Sequence, residues 1–180
     1  MRRSIGLLLA IIMMMSFLAG CTTKNDKGKE AKEVDLKEIH GKIKEEMGED
    51  YYPDREMTLD EIKDITGIDK EDVEEYIAEA PMMTMNTDIF IGIKAREGKG
   101  DAIEEGLQKY RTYMMEESFQ YPMNIAKVQA AKVVRHGDYV FFLILGKHNE
   151  SMEDAESKEA LEFAQNEVKK VEDIINTFFK

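Results

Sequence analysis

Apolar residues along this chain recur at two different periods, and each change of period predicts an element. Behind Asp35, a residue suited to cap a helix, Leu36, Ile39, Ile43 and Met47 follow at three- and four-residue steps, and Gly48 stands where helices commonly end. The stretch EDYYPDRE that follows has no period and reads as irregular. Thr58 opens a brief helix with Leu59, Ile62 and Ile65 on one face, closed by Gly67. Asp69 then reads as an N-cap, with Glu71 and Asp72 in the first turn and Ile68 and Val73 placed to close as a hydrophobic staple. Val73, Tyr76, Ile77 and Ala80 continue at helical spacing, predicting a third helix that Pro81 stops.

From Asn86 to Ala95 the period falls to two, with Ile89, Ile91 and Ile93 on one face of a predicted strand and Asp88, Phe90, Gly92 and Lys94 on the other. Glu97 to Gly100 form a turn, and a long helix is predicted from Asp101 to Phe119 with Ile103, Leu107, Tyr110 and Met114 inward. Pro122 starts a shorter helical piece, Met123 to Gln129. Lys132–His136 and Tyr139–Leu145 read as strands joined across Gly137-Asp138, a hairpin signal. The second is apolar on both faces and is predicted to be the central, covered strand. A closing helix carries Leu161, Ala164, Val168, Val171, Ile175 and Phe178 on one stripe. With the short piece after Pro122 left uncounted, the predicted order is helix–helix–helix–strand–helix–strand–strand–helix. It implies an α+β fold in which a small, at least partly antiparallel three-stranded sheet packs against helices, as one domain over residues 35–180.

The first residues obey a different logic. Arg2 and Arg3 precede an apolar run from Ile5 to Leu18, which ends in Leu18-Ala19-Gly20-Cys21. This is the layout of a secretory signal peptide, and the run is short of the ~20 residues a membrane span needs. Cys21, the only cysteine in the chain, stands where the lipobox of bacterial lipoproteins has its modified residue. The similarity implies cleavage after Gly20, a diacylglyceryl group on the Cys21 thiol and further acylation of the new amino terminus by a fatty acid such as palmitate. Two or three chains would hold the protein stably at the outer face of the membrane. A plain signal peptide with a coincidental cysteine is the alternative. Residues 21–34, polar and charged after the cysteine, read as the lipidated end and its flexible tether. With Cys21 consumed, the domain has no thiol for a disulfide, a cysteine-ligated metal or a nucleophile.

Charge narrows the function. The formal net charge is −12, and removal of residues 1–20 would take away two arginines and no acid. Such a balance disfavours binding to nucleic-acid backbones and to anionic lipid, both of which reward clustered Lys and Arg. It suits a soluble surface kept apart by self-repulsion.

No catalytic set is legible. Outside the signal peptide the serines are Ser118, Ser151 and Ser157 and the histidines His40, His136 and His148, and none of these serines lies in a Gly-flanked elbow. His136 at a turn and His148 in a polar loop are expected to be exposed. Glu150, Glu153, Asp154 and Glu156 could gather a hard cation, but an acidic run opening a helix more simply favours its dipole. Met82, Met83 and Met85 could suit Cu(I), while methionine is also an adaptable core filler, the reading preferred here. No cofactor or metal is expected. Tyrosine is enriched where proteins meet partners, which singles out Tyr51, Tyr52 and Tyr113 as contact candidates, whereas Tyr110 belongs to a buried stripe.

Gly67-Ile68-Asp69, Asp72-Val73-Glu74-Glu75-Tyr76, Ala80-Pro81-Met82-Met83, Asp88-Ile89-Phe90-Ile91, the Arg111-bearing helix and Gly137-Asp138-Tyr139-Val140-Phe141 together resemble the DUF4358 family, small lipoproteins of Gram-positive bacteria. The similarity runs from Gly67 to Leu145. Members often have Asn where Asp138 stands, a change that turn chemistry tolerates. The resemblance implies an extracytoplasmic lipoprotein and offers no catalytic residues to carry over.

The expected function is a membrane-anchored, non-enzymatic binding or interaction module, with an unidentified protein or small-molecule partner and no nucleic acid. The alternative is a cell-envelope enzyme using a carboxylate pair, for example with one acid near Arg111. A solute-binding component of a transporter ranks last, because the chain is short for two lobes. An exposed tyrosine–methionine patch would favour the module, a pocket with paired carboxylates the enzyme, and a cleft between lobes the solute binder.

Overall fold

The period-two run before Ala95 forms the strand around which everything else is arranged. The structure is a computed structural model and describes residues 33–83, 85–148 and 157–180. Gly20, Cys21, the tether before Glu33, Ser151 and the acids Glu150, Glu153, Asp154 and Glu156 lie outside the described residues. In chain order the elements are α1 (Leu36–Met47), β1 (Arg55–Glu56), α2 (Leu59–Thr66), β2 (Val73–Ala80), β3 (Ile89–Ala95), α3 (Gly100–Glu116), α4 (Pro122–Gln129), β4 (Lys132–His136), β5 (Tyr139–Ile144) and α5 (Lys158–Phe178). Short 3-10 turns cover Gly48–Asp50 and Lys70–Asp72.

The sheet has five strands in the order β1-β2-β3-β5-β4, every neighbouring pair antiparallel. This corrects the expected three-stranded sheet, although the α+β class stands. The predicted third helix is strand β2, and the irregular stretch before Thr58 contributes the two-residue edge strand β1. A register shift between Val73 and Glu75 explains the misreading. Glu74 is the extra residue of a bulge, so Val73 and Tyr76, three apart, share one face of the sheet and imitate a helical step. Val73, Ala78 and Ala80 then pack into one core with Tyr76 against it, while Ile77 packs into the other.

Two cores flank the sheet. Ile89, Ile91, Ile93, Val140 and Phe142 meet Ile62 of α2 and Ile103, Leu107 and Tyr110 of α3. Phe90, Phe141, Leu143 and Tyr139 meet Ile39 and Ile43 of α1 and Val168, Val171 and Ile175 of α5. All six residues of β5 are buried, as its two-faced apolar sequence predicts, but the middle position of the sheet belongs to β3. Gly92 of β3 sits between two aromatic rings: a Cβ there would lie 3.2 Å from both Phe90 and Phe141.

Local signals placed most helix ends. Asp35 Oδ1 accepts from the Lys37 N–H at 2.7 Å, and Thr58 and Glu61 form a reciprocal capping box. Gly67 ends α2 in the left-handed region at φ 72°. In α2 the buried stripe is Ile62 with Thr66, while Ile65 faces solvent. Asp69 makes no side-chain cap, because the backbone after its turn extends into β2.

Replacing Thr58 by Ala should cost about 1 kcal/mol of stability by loss of the cap. Ile93→Ala should cost about 2–5 kcal/mol by leaving a cavity beneath α3. Urea unfolding of both variants checks these values.

Candidate functional site

One end of the sheet gathers the segment before β1, the β2–β3 loop, the start of α4 and the chain leaving β5. Because β3 is covered on both faces, the residue entering it is covered as well: Asp88 is fully buried. A buried carboxylate needs a partner. Its Oδ1 lies 2.5 Å from Nζ of Lys127, itself only 7 % exposed. The ammonium also donates to the Gly146 carbonyl at 2.7 Å and stands 3.5 Å from Nε2 of His148. The Tyr52 ring covers it at 5.6 Å, edge-on to the His148 ring at 5.4 Å. Asn124, one helical turn before Lys127, donates from Nδ2 to the Met85 carbonyl at 2.8 Å and ties the β2–β3 loop to α4.

Burial dominates the electrostatics of this pair. It pushes the Asp88 carboxyl up to about 6 despite the attraction of Lys127. It likewise pulls Lys127 below the ordinary lysine value against the opposing pull of Asp88. Asp88 Oδ2, Asn124 Oδ1 and Thr87 Oγ1 are the buried side-chain oxygens without a hydrogen-bond partner among the described residues. Lys127 already neutralises the carboxylate, so an added cation would leave uncompensated buried charge, whereas a neutral hydrogen-bond donor suits these acceptors. Among the described residues no group of three or more His, Cys, Asp or Glu could hold a metal ion.

Charged groups, Asp50 and Glu167 among them, face this polar plug from one side, and exposed methionines and aromatics adjoin it on the side of the β2–β3 loop and α4. Met82 and Met83 are each 69 % exposed and Phe119 is 86 % exposed, with Met85, Tyr121 and Met123 also open to solvent. These residues belong to adjoining segments: Asn124 fastens Met85 to α4, Phe119 and Tyr121 pair edge-to-face at 5.8 Å, and the Met82 N–H donates to Asp54 Oδ1 at 2.7 Å. The methionines therefore do not fill the core, and they join a strand to a strand rather than a helix to a strand.

The tyrosine candidates do not converge. Tyr52 lies on the rim of the buried pair, and Tyr113 is exposed on α3. Tyr51 is half-buried: its OH donates to Glu79 Oε2 at 2.9 Å and lies 2.9 Å from His40 Nε2. Tyr110 is core, its phenol pushed up to about 12 by burial. His136 and His148 are half-buried rather than exposed, and His136 stacks on Phe179 at 4.4 Å. Ser118 donates to the Met114 carbonyl, and Ser157 caps α5. Arg111 donates to the Ala131 carbonyl at 2.6 Å and forms no ion pair with an acid among the described residues. Sequence reasoning passed over the Asp88–Lys127 pair because its members are 39 residues apart. The available signal was Asn124 and Lys127 together on the face of α4 that also carries buried Val128.

A raised carboxyl pKa means that the folded state holds a proton the unfolded chain releases. The contribution of Asp88 is then complete below about pH 4 and lost as the pH rises through about 6. Unfolding free energies of wild type minus Asp88→Asn should accordingly decline from pH 4 to pH 6, and a constant difference would contradict this. Lys127→Ala should cost about 3–5 kcal/mol at neutral pH, because it strands a buried carboxylate.

Residues 46–145 match the model of a family described as a domain of unknown function, DUF4358. No curated protein and no solved structure matches the chain. The matched region covers more than half of the 180 residues and contains both members of the buried pair, so the chain belongs to the DUF4358 family.

Proposed function

We propose that this protein is a lipid-anchored, extracytoplasmic binding module that meets its partner through the methionine–aromatic end of the sheet. The observation that carries the reading is the exposed methionine–aromatic collar of Met82, Met83, Met85, Phe119, Tyr121 and Met123 on the β2–β3 loop and α4 side of the Asp88–Lys127 plug. Contiguous exposed apolar groups mark interaction surfaces, and methionine adapts to the shape it meets. The acid-rich remainder of the surface keeps copies apart and leaves this end as the place for association.

The position of the amino-terminal end supports the same reading. Glu33 lies beside Lys94, and the Val34 N–H donates to the Tyr139 hydroxyl, so the described chain begins at the β4–β5 hairpin. The collar lies at the opposite end of β3, a seven-residue strand of roughly 23 Å. An anchor at Cys21 would attach through the tether at the hairpin end, which leaves the collar at the far end of β3 free to meet a partner. Among the described residues no helix is long and apolar enough to cross a membrane.

Two experiments test the two halves of the proposal. Cys21→Ala should move the protein from the membrane pellet to the soluble fraction, and retention in the pellet would refute the anchor. With p-benzoylphenylalanine in place of Met83, irradiation of intact cells should give a discrete cross-linked adduct. The same group in place of Lys109, exposed on α3, should give none. Identical patterns from both positions would refute the collar as the contact surface.

A further inference from the structure

The sheet ends on β4 at one side, and at the other it leaves the amino-terminal part of β2 open, because β1 is only two residues long. β1 reaches only the last two residues of β2, pairing Arg55 with Ala80 and Glu56 with Glu79. Successive residues of a strand direct their backbone groups to opposite sides. The N–H groups of Met57 and Asp54 donate to the carbonyls of Ala78 and Ala80, which points those residues outward. Tyr76, two residues earlier, points the same way. Its N–H and C=O have no partner among the described residues.

A groove of about 350 Å³ runs along this edge, lined by Lys37 and His40 of α1 and by Glu56, Met57, Tyr76 and Glu79. A second depression, sharing Lys37, extends it past Glu75 and Lys94. The two faces of the edge differ. Glu75 and Glu79 share the α1 face of β2, and Glu56 stands opposite Glu79 on β1. Lys44 and Tyr51 engage Glu79, but the carboxylates of Glu56 and Glu75 have no ion-pair partner among the described residues. On the other face Tyr76 and Met57 offer apolar surface continuous with the core.

We propose that the open edge of β2 takes up an extended peptide as an added strand, with basic side chains over Glu56 and Glu75 alternating with apolar ones against Met57 and Tyr76. Backbone hydrogen bonds to Tyr76 supply the pairing, and the alternation supplies the selectivity. A second copy of this chain is the poorer occupant. Antiparallel self-pairing about residue 75 sets Glu75 against Glu75, a like-charge contact of the kind that protects edges from self-association.

The test uses the full chain and the peptide acetyl-Lys-Val-Lys-Val-Lys-Val-Lys-amide, with the Glu/Val counterpart as control. The basic peptide should slow hydrogen exchange at the Tyr76 amide, and the acidic one should not. Tyr76→Pro removes a donor that faces outward and spares the ladder to β3, so it should weaken binding at least tenfold. Glu56→Lys/Glu75→Lys, which alters side chains outside the core, should reverse the preference and settles the matter if the proline variant does not fold. The proposal is overturned if the basic peptide leaves Tyr76 exchange unchanged at saturation, or if charge reversal leaves the preference unchanged.

Discussion

The structure depends on a strand that has no solvent face. β3 packs Ile89, Ile91 and Ile93 toward α2 and α3, and Phe90 toward α1 and α5. Every residue of β3 except Lys94 is buried. On one side it is flanked by β5, which is covered as fully, with six buried residues, and on the other by β2, which is covered only in part. Helices must then lie on both faces of the sheet, which fixes the layered arrangement.

The same constraint creates the polar plug. The chain must enter β3 through buried territory, and the residue at that threshold is Asp88. Its carboxylate is tolerated because Lys127 reaches it from α4, and Lys127 is in turn satisfied by Gly146 at the exit of β5. One ammonium thereby ties together the start of β3, the end of β5 and α4. Ion pairs of this kind add little net stability over a well-packed apolar pair, but they penalise any arrangement that separates the charges. Here they set the position of α4, and with it Tyr121 and Met123, beside the methionine loop held by Asn124. The exposed collar is thus the outer consequence of burying β3.

Much of this was legible in the chain. Asp35, Thr58, Gly67 and Pro122 mark helix ends by local chemistry, and the hairpin across Gly137-Asp138 needs no long-range information. β2 was misread because the bulge at Glu74 disguises alternation as a helical step, while acids near its start imitate a helical first turn. β1 escaped because two residues carry no period. The candidate site was half visible: the methionine cluster stands out, but its exposure depends on a loop between two strands, the first of which mimics a helix in sequence. The Asp88–Lys127 contact joins residues 39 apart and leaves no local trace.

The methionine–aromatic end is the proposed surface for meeting a partner. Methyl-labelled methionine NMR tests it most directly, because the 13 methionines include both collar and interior positions. On addition of detergent-solubilised envelope from the producing cell, the methyl signals of Met82, Met83, Met85 and Met123 should broaden selectively, while that of buried Met57 stays sharp. Uniform broadening, or selective broadening at methionines outside the collar, would place the contact elsewhere.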